Sequence, residues 1–148
     1  MAIQFEHEID ISQTPDQVFA VLDDVSQTPK WLARCTGIEK LSPGENAVGT
    51  KLRYSYKEAG RTGNMDGEIT TRTPKERLTF HYYDKMMDVI VDFRISPAEQ
   101  GTHMVHAITI TPKTFFAKLF SGMIRKQLPR QTITAMESLR NLLAMRGG

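Results

Sequence analysis

An α+β domain, with a curved antiparallel sheet wrapped around one long C-terminal helix, is the fold class predicted by this sequence of 148 residues. Three observations carry the prediction. Seven short stretches alternate apolar and polar residues, one helical pattern interrupts them after the first, and a long amphipathic pattern closes the chain. A sheet curled over a helix leaves room between the two, and such room is a common place for a pocket.

Ile3, Phe5, His7, Ile9 and Ile11 alternate with Gln4, Glu6, Glu8 and Asp10, the period-two pattern of a strand with one wet face. Thr14-Pro15-Asp16-Gln17 then starts a helix. Thr14 caps it, Pro15 suits the first helical position, and Gln17 completes a capping box. Val18, Val21, Leu22 and Val25 follow on one helical face. Ser26 to Pro29 breaks this helix, and Lys30 to Arg34 forms a second short one ending near Gly37.

A short strand over Ile38 to Leu41 stops at Ser42-Pro43-Gly44. Leu52, Tyr54 and Tyr56 mark the inner side of the next strand, followed by a hairpin turn over Gly60 to Asn64, either a mobile rim or, more often for such a loop tip, just a turn. Met65, Gly67, Ile69 and Thr71 share the next inner face, up to a turn at Thr73 to Glu76. Leu78, Phe80 and Tyr82 follow, then a turn at Asp84-Lys85, then Met87, Val89, Val91, Phe93 and Ile95. Ser96 to Gly101 is a loop, and Met104, His106, Ile108 and Ile110 form the last inner face. Helical spacing then relates Phe116, Leu119, Phe120, Met123 and Ile124, and again Ile133, Met136, Leu139 and Leu143. Pro129 lies between these halves. It predicts a break or kink near Leu128, because proline removes a helical hydrogen bond and clashes with the preceding turn.

Size and composition bound the rest. The length suits one domain over residues 1–148, with no internal repeat or linker. Cys35 is the one cysteine, so no internal disulfide forms and a reducing compartment is expected. The N-terminus lacks a basic start followed by an apolar run, and no apolar stretch is long enough to span a membrane; the expectation is a cytoplasmic protein. From Lys113 onward there are seven Lys or Arg and one acid, Glu137, against 12 bases and 16 acids before it. This basic C-terminal segment is either a solvated helix face or an interaction surface.

The element order, together with particular fragments, resembles the START and birch-pollen-allergen-like superfamily (SRPBCC), and within it the polyketide cyclase/dehydrase group. The fragments are Thr14-Pro15-Asp16-Gln17-Val18-Phe19, the Asp24-to-Trp31 segment, Val48-Gly49-Thr50, Pro74-Lys75-Glu76-Arg77-Leu78, and Gly101-Thr102 opening the last strand. The resemblance spans nearly the whole chain. It implies a helix-grip fold: a seven-stranded curved antiparallel sheet around the C-terminal helix, with two short helices between strands one and two. It also implies a cavity, because members bind lipids, hormones, polyketides or quinones; some are cyclases and others act on partner proteins.

Inner-face residues either fill a core or line a cavity, and alternation alone leaves both open. The candidate ligand-binding set is Trp31, Leu32, Tyr54, Tyr56, Met65, Phe80, Tyr82, Met87, Val89, Phe93, His106, Phe116, Phe120 and Met123. Three tyrosines on one face suit an apolar ligand carrying a few oxygens, and methionine adapts to shape. Trp31 and Leu32 gate the open end or plug it.

For catalysis the candidates are His7 and His106, both on inner faces, while His81 and His103 point outward. The resemblance implies that the first and last strands are antiparallel neighbours; if the pairing aligns Phe5 with Ile108, His7 lies opposite His106, with Cβ atoms about 5 Å apart. No inner Asp or Glu accompanies them unless a bulge turns Asp66 or Glu68 inward. Two histidines are too few for a structural zinc site, Cys35 has no His at ligand spacing, and no cofactor motif is found, so neither metal nor cofactor is expected.

Three functions compete. The first is a carrier or sensor of a small hydrophobic molecule. The second is a cyclase or dehydratase using a cavity His or Tyr. The third is a module binding a membrane, quinone or partner through Lys118, Arg125, Lys126, Arg130 and Arg140. Peripheral membrane contact belongs to this third reading, nucleic acid is not expected as a partner, and oligomeric state is not legible.

Overall fold

The structure is a computed structural model. It describes residues 2–58 and 60–146. Strand β1 (Ile3–Ile11) leads into helix α1 (Pro15–Asp23), a 3-10 turn (Val25–Gln27) and helix α2 (Thr28–Trp31). Strands β2 (Cys35–Lys40), β3 (Lys51–Glu58), β4 (Arg61–Thr73), β5 (Arg77–Tyr83), β6 (Met87–Ala98) and β7 (Gly101–Pro112) follow. Helix α3 (Phe115–Leu119) and the long helix α4 (Ser121–Arg146) end the fold. The strands form one antiparallel sheet in the order β1-β7-β6-β5-β4-β3-β2. This is the helix-grip architecture: a curved seven-stranded sheet, two short helices after the first strand, and a C-terminal helix in its grasp.

Local chemistry explains where the elements begin. The capping box forms as expected: Thr14 Oγ1 accepts from the Gln17 N–H at 3.3 Å, and Gln17 Oε1 accepts from the Thr14 N–H at 3.0 Å. Asp24 then ends α1 and caps the 3-10 turn, its Oδ1 accepting from the Ser26 N–H at 3.1 Å. Ser26 to Pro29 is therefore not a break. Pro29 sits in the first turn of α2, where its missing N–H costs nothing, so the second helix lies earlier than Lys30 to Arg34 and β2 begins at Cys35.

Two turns are tighter than expected. Glu58 pairs with Arg61, so the β3–β4 hairpin is a two-residue turn including Gly60 at φ 78°. Arg61 to Asn64 are strand, not a loose rim. Likewise β6 continues to Ala98 and β7 restarts at Gly101, in place of a loop from Ser96. A Cβ on Gly101, at φ 142°, would collide with the Ile11 carbonyl oxygen. Next to it the Thr102 hydroxyl donates to the Gln13 carbonyl at 2.7 Å, which ties the last strand to the end of the first.

A bulge changes the face of one strand. The β4–β5 register slips between Ile69 and Thr71, so Thr71 pairs with outer Thr79 and Arg72 pairs with inner Leu78. Thr71 thus leaves the inner face. Arg72 takes its place, bidentate on Asp23 at 3.0 and 2.8 Å and stacked over Phe19 at 5.4 Å. Asp66 and Glu68 stay on the outer side, Glu68 paired with Lys51.

The core lies between the concave sheet face and α4. Leu128, Met136, Leu139 and Leu143 of α4 are buried with Ile3, Ile9, Phe93 and Met104 of the sheet. The helix is not broken at Leu128 but is continuous through Pro129, where Leu128 and Thr132 bury on either side. The helical run instead turns a corner at Phe120 (φ −92°, ψ 1°), which separates α3 from α4 and resets the helical phase. Phe116 and Phe120 before the corner, and Met123 just after it, consequently miss the cavity altogether. They are exposed on the surface. Among the described residues no helix is long and apolar enough to cross a membrane.

Candidate functional site

Two connected hollows lie on the concave face. The inner one, about 80 Å³, is lined by Trp31, Leu32, Tyr54, Met65, Phe80, Tyr82, Val89, Phe93 and His106, with Leu22, Thr28, Ile38, Val91 and Ile108. The outer one, about 140 Å³, is bounded by Tyr56 and Met87 with Met86, Ile110, Ile124, Gln127 and Leu128. Arg34, Tyr54, Met65 and Val89 form the partition shared by both. A cavity of about 150 Å³ admits benzene, and sites for drug-sized ligands run to roughly 300–1,000 Å³. The space therefore fits a guest of ring size. A larger one requires the Met65 and Tyr54 side chains to swing aside, and methionine is the residue best able to do so.

Period-two alternation brings the strand side chains of this wall together from six strands, β2 to β7. Their rings touch in a continuous series. Trp31 meets Phe93 edge-on at 6.1 Å, Phe93 meets Phe80 at 6.5 Å, Phe80 stacks on Tyr82 at 5.7 Å, Tyr82 reaches Tyr54 at 4.9 Å, and Tyr54 stacks on Tyr56 at 6.0 Å. Two glycines let the tyrosines lie flat. A Cβ on Gly67 would sit 2.5 Å from the Tyr82 ring, and one on Gly63 would sit 2.7 Å from Tyr56.

His106 is the polar focus of the inner hollow. It pairs across the ladder with His7, in the register Phe5 to Ile108, and stacks on Phe93 at 4.5 Å with rings 4° from parallel. Only 3% of it is exposed. Among the described residues, five buried side-chain N or O atoms have no hydrogen-bond partner, and three of them belong to residues that line this hollow: His106 Nδ1, His106 Nε2 and Trp31 Nε1. Burial, reinforced by His7, drives the His106 pKa down to about 3, with Asp92 opposing. The ring is thus neutral near pH 7 and offers one donor and one acceptor. His7 is half-buried, stacked on Phe5 at 6.4 Å, and lines neither hollow.

Arg34 apart, the inner wall is likewise uncharged. Burial pushes the Tyr54 hydroxyl up to about 12 and raises Tyr82 and Tyr56 as well. It also pushes the Cys35 thiol up to about 11, which makes that side chain an inert core residue. Charge appears at the outer rim. Arg34 Nη1 donates to Gln131 Oε1 at 3.3 Å, Gln131 Nε2 donates to Glu58 Oε1 at 3.1 Å, and Arg34 lies 3.6 Å from Glu58. This bracket joins the start of β2, the end of β3 and α4. Sequence reasoning missed it, since its members are up to 97 residues apart and none belongs to a periodic pattern. The outward histidines are engaged elsewhere: His103 contacts Asp10 at 2.8 Å and Glu8 at 2.9 Å, and His81 contacts Asp88 at 3.1 Å.

A largely apolar hollow gripped between a curved sheet and a helix defines a class of cavity-bearing helix-grip proteins. The chain belongs to the family described as polyketide cyclase / dehydrase and lipid transport, which it matches over residues 2–143. No curated protein matches the sequence. Among solved structures, the ZhuI aromatase/cyclase from Streptomyces sp. R1128 is similar at TM-score 0.83 and 13% identity, covering 100% of this chain and 97% of that one. A START superfamily protein from Mycobacterium smegmatis follows at 0.80 and 12%, with coverage of 96% and 97%. Ara h 8.0201 gives 0.74 and 16%, with coverage of 98% and 99%. These likenesses establish the START-like fold.

Proposed function

We propose that the protein binds a small apolar molecule carrying one or two oxygens and acts as its carrier or sensor. The observation behind this reading is that Trp31 and His106, whose Nε1 and ring nitrogens are buried without partners, line a largely apolar hollow. A buried polar group without a partner costs about 1–3 kcal/mol, and a guest with a carbonyl or hydroxyl removes that cost while covering apolar wall. Trp31, Leu32, Tyr54, Met65, Phe80, Tyr82, Val89, Phe93 and His106 are the contacts this reading assigns at the inner hollow, with Tyr56 and Met87 at the outer one. The family's lipid-transport members support it, and the lone buried Cys35 fits a reducing cytoplasm.

A cyclase or dehydratase is the second reading, favoured by the same neutral imidazole and by likeness to an aromatase/cyclase. The magnitude of the His106 shift ranks it second. General bases work best with a pKa near the operating pH, and a value of about 3 makes a weak base.

Native mass spectrometry of protein purified without detergent should show a retained guest of one or two rings. Calorimetry with 2-naphthol and naphthalene tests the polar focus. The naphthol should bind about five- to tenfold more tightly, and the preference should vanish in His106→Leu or Trp31→Phe. Absence of both a retained guest and naphthol binding rejects the carrier reading. Turnover of a poly-β-keto thioester that His106→Leu abolishes would promote the second.

A further inference from the structure

The basic C-terminal segment carries an apolar cluster that the cavity does not use. Phe115 is 72% exposed, Phe116 66%, Leu119 61%, Phe120 51% and Met123 53%. Of α3, only Ala117 is buried. Monomeric proteins seldom leave so much contiguous aromatic and aliphatic surface in water without a partner for it.

Charge decides which partner. No acid occurs between Lys113 and Met136, a stretch that holds Lys113, Lys118, Arg125, Lys126 and Arg130. Lys118, Arg125, Lys126 and Arg130 are exposed. Two acids near the start of this stretch are engaged: Asp84 Oδ1 accepts from the Met86 and Met87 N–H groups at 2.7 and 2.9 Å, and Asp88 lies 3.1 Å from His81 and 3.6 Å from Lys113. A two-fold interface between copies would bring these like charges face to face. A bilayer rich in anionic lipid matches both properties. Its hydrocarbon takes the Phe and Leu side chains, aromatic rings favour the headgroup level, and lysine stems reach the phosphates above.

We propose that α3 and the first turns of α4 form a docking surface for anionic membranes, with Phe116, Leu119, Phe120 and Met123 inserted and Lys118 and Lys126 on the headgroups. Position supports it. The Lys113 N–H donates to the Met86 carbonyl at 2.7 Å, which sets the segment beside Met86, an exposed wall of the outer hollow. Ile124 and Gln127, on the turn after Met123, line the same hollow. Docking as such does not depend on what the hollow holds.

Co-sedimentation with vesicles of equimolar phosphatidylglycerol and phosphatidylcholine, and with phosphatidylcholine alone, tests the surface. The full chain should bind the anionic vesicles at low salt, and added salt should weaken the binding steeply. Phe116→Ser/Phe120→Ser should lower that affinity at least about tenfold, and Lys118→Gln/Lys126→Gln several-fold, with unchanged circular dichroism. Failure of the wild type to bind anionic vesicles at low salt overturns the proposal, as does equal binding by the serine variant. A wild-type dimer that the serine variant converts to monomer in analytical ultracentrifugation also overturns it, by assigning the cluster to a second copy.

Discussion

Two stretches of the C-terminal segment have similar apolar spacing and opposite surroundings. Leu128, Met136, Leu139 and Leu143 are buried beneath the sheet, whereas Phe116, Leu119, Phe120 and Met123 stand in the open. Helical spacing determines which residues share a face; it does not determine what that face meets. Here the partner of α4 is the concave sheet and helix α2, whereas α3 lies beside β7 with only Ala117 buried. The buried stretch carries stability and closes the hollow. The exposed one is free to carry an interaction.

Truncation on the buried side should give the largest effect. Leu139 has no exposed surface, so Leu139→Ala loses its transfer energy and leaves a void, at a cost of about 2–5 kcal/mol in urea-induced unfolding. A loss below about 1 kcal/mol would mean that α4 is loosely held, and the contrast between the two stretches would fail.

Acid should probe the same enclosed side through charge. His106 in the folded protein resists a proton down to about 3, while the unfolded chain accepts one near 6.5. Unfolding therefore takes up a proton between those values, and stability falls as pH drops below 6.5, by up to about 1.4 kcal/mol per pH unit. His103 has the opposite sign. Hydrogen bonds to Asp10 and Glu8 raise its pKa, so its contribution is complete below 6.5 and is lost as pH rises through the folded value. Comparing wild type with His106→Leu between pH 7 and pH 5 isolates the first effect, because His103 is common to both. Parallel stability curves would show that His106 is more accessible to water than its burial implies.

How far the sequence foretold these features depends on the range of the interaction involved. The strand faces were readable because alternation is local, whereas the long-range pairing of His7 with His106 was readable only because the family resemblance implies that the first and last strands are neighbours. The cap at Thr14 was readable from four residues. The bulge beyond Ile69 carries no glycine or proline to announce it, so the exchange of Thr71 for Arg72 on the inner face was hidden. The Arg34–Gln131–Glu58 bracket depends on α4 lying across the sheet mouth, a tertiary fact. The corner at Phe120 was invisible for a different reason: apolar spacing continues straight through it, and only the backbone angle interrupts the face.

That corner also sets the smallest expected effect, which is the most discriminating one for the comparison. If Phe120 belongs to the surface, as its 51% exposure has it, Phe120→Ser removes only the covered half of the ring, and unfolding free energy should fall by about 1 kcal/mol. If the residue instead folds back under the sheet in solution, the same change should cost about 3–5 kcal/mol, as truncation of a buried Phe does. The gap between those outcomes far exceeds the error of a denaturation curve. A cost near 1 kcal/mol leaves the cluster with a minor structural role in the isolated chain, and so strengthens the case that its open half exists for contact with something else.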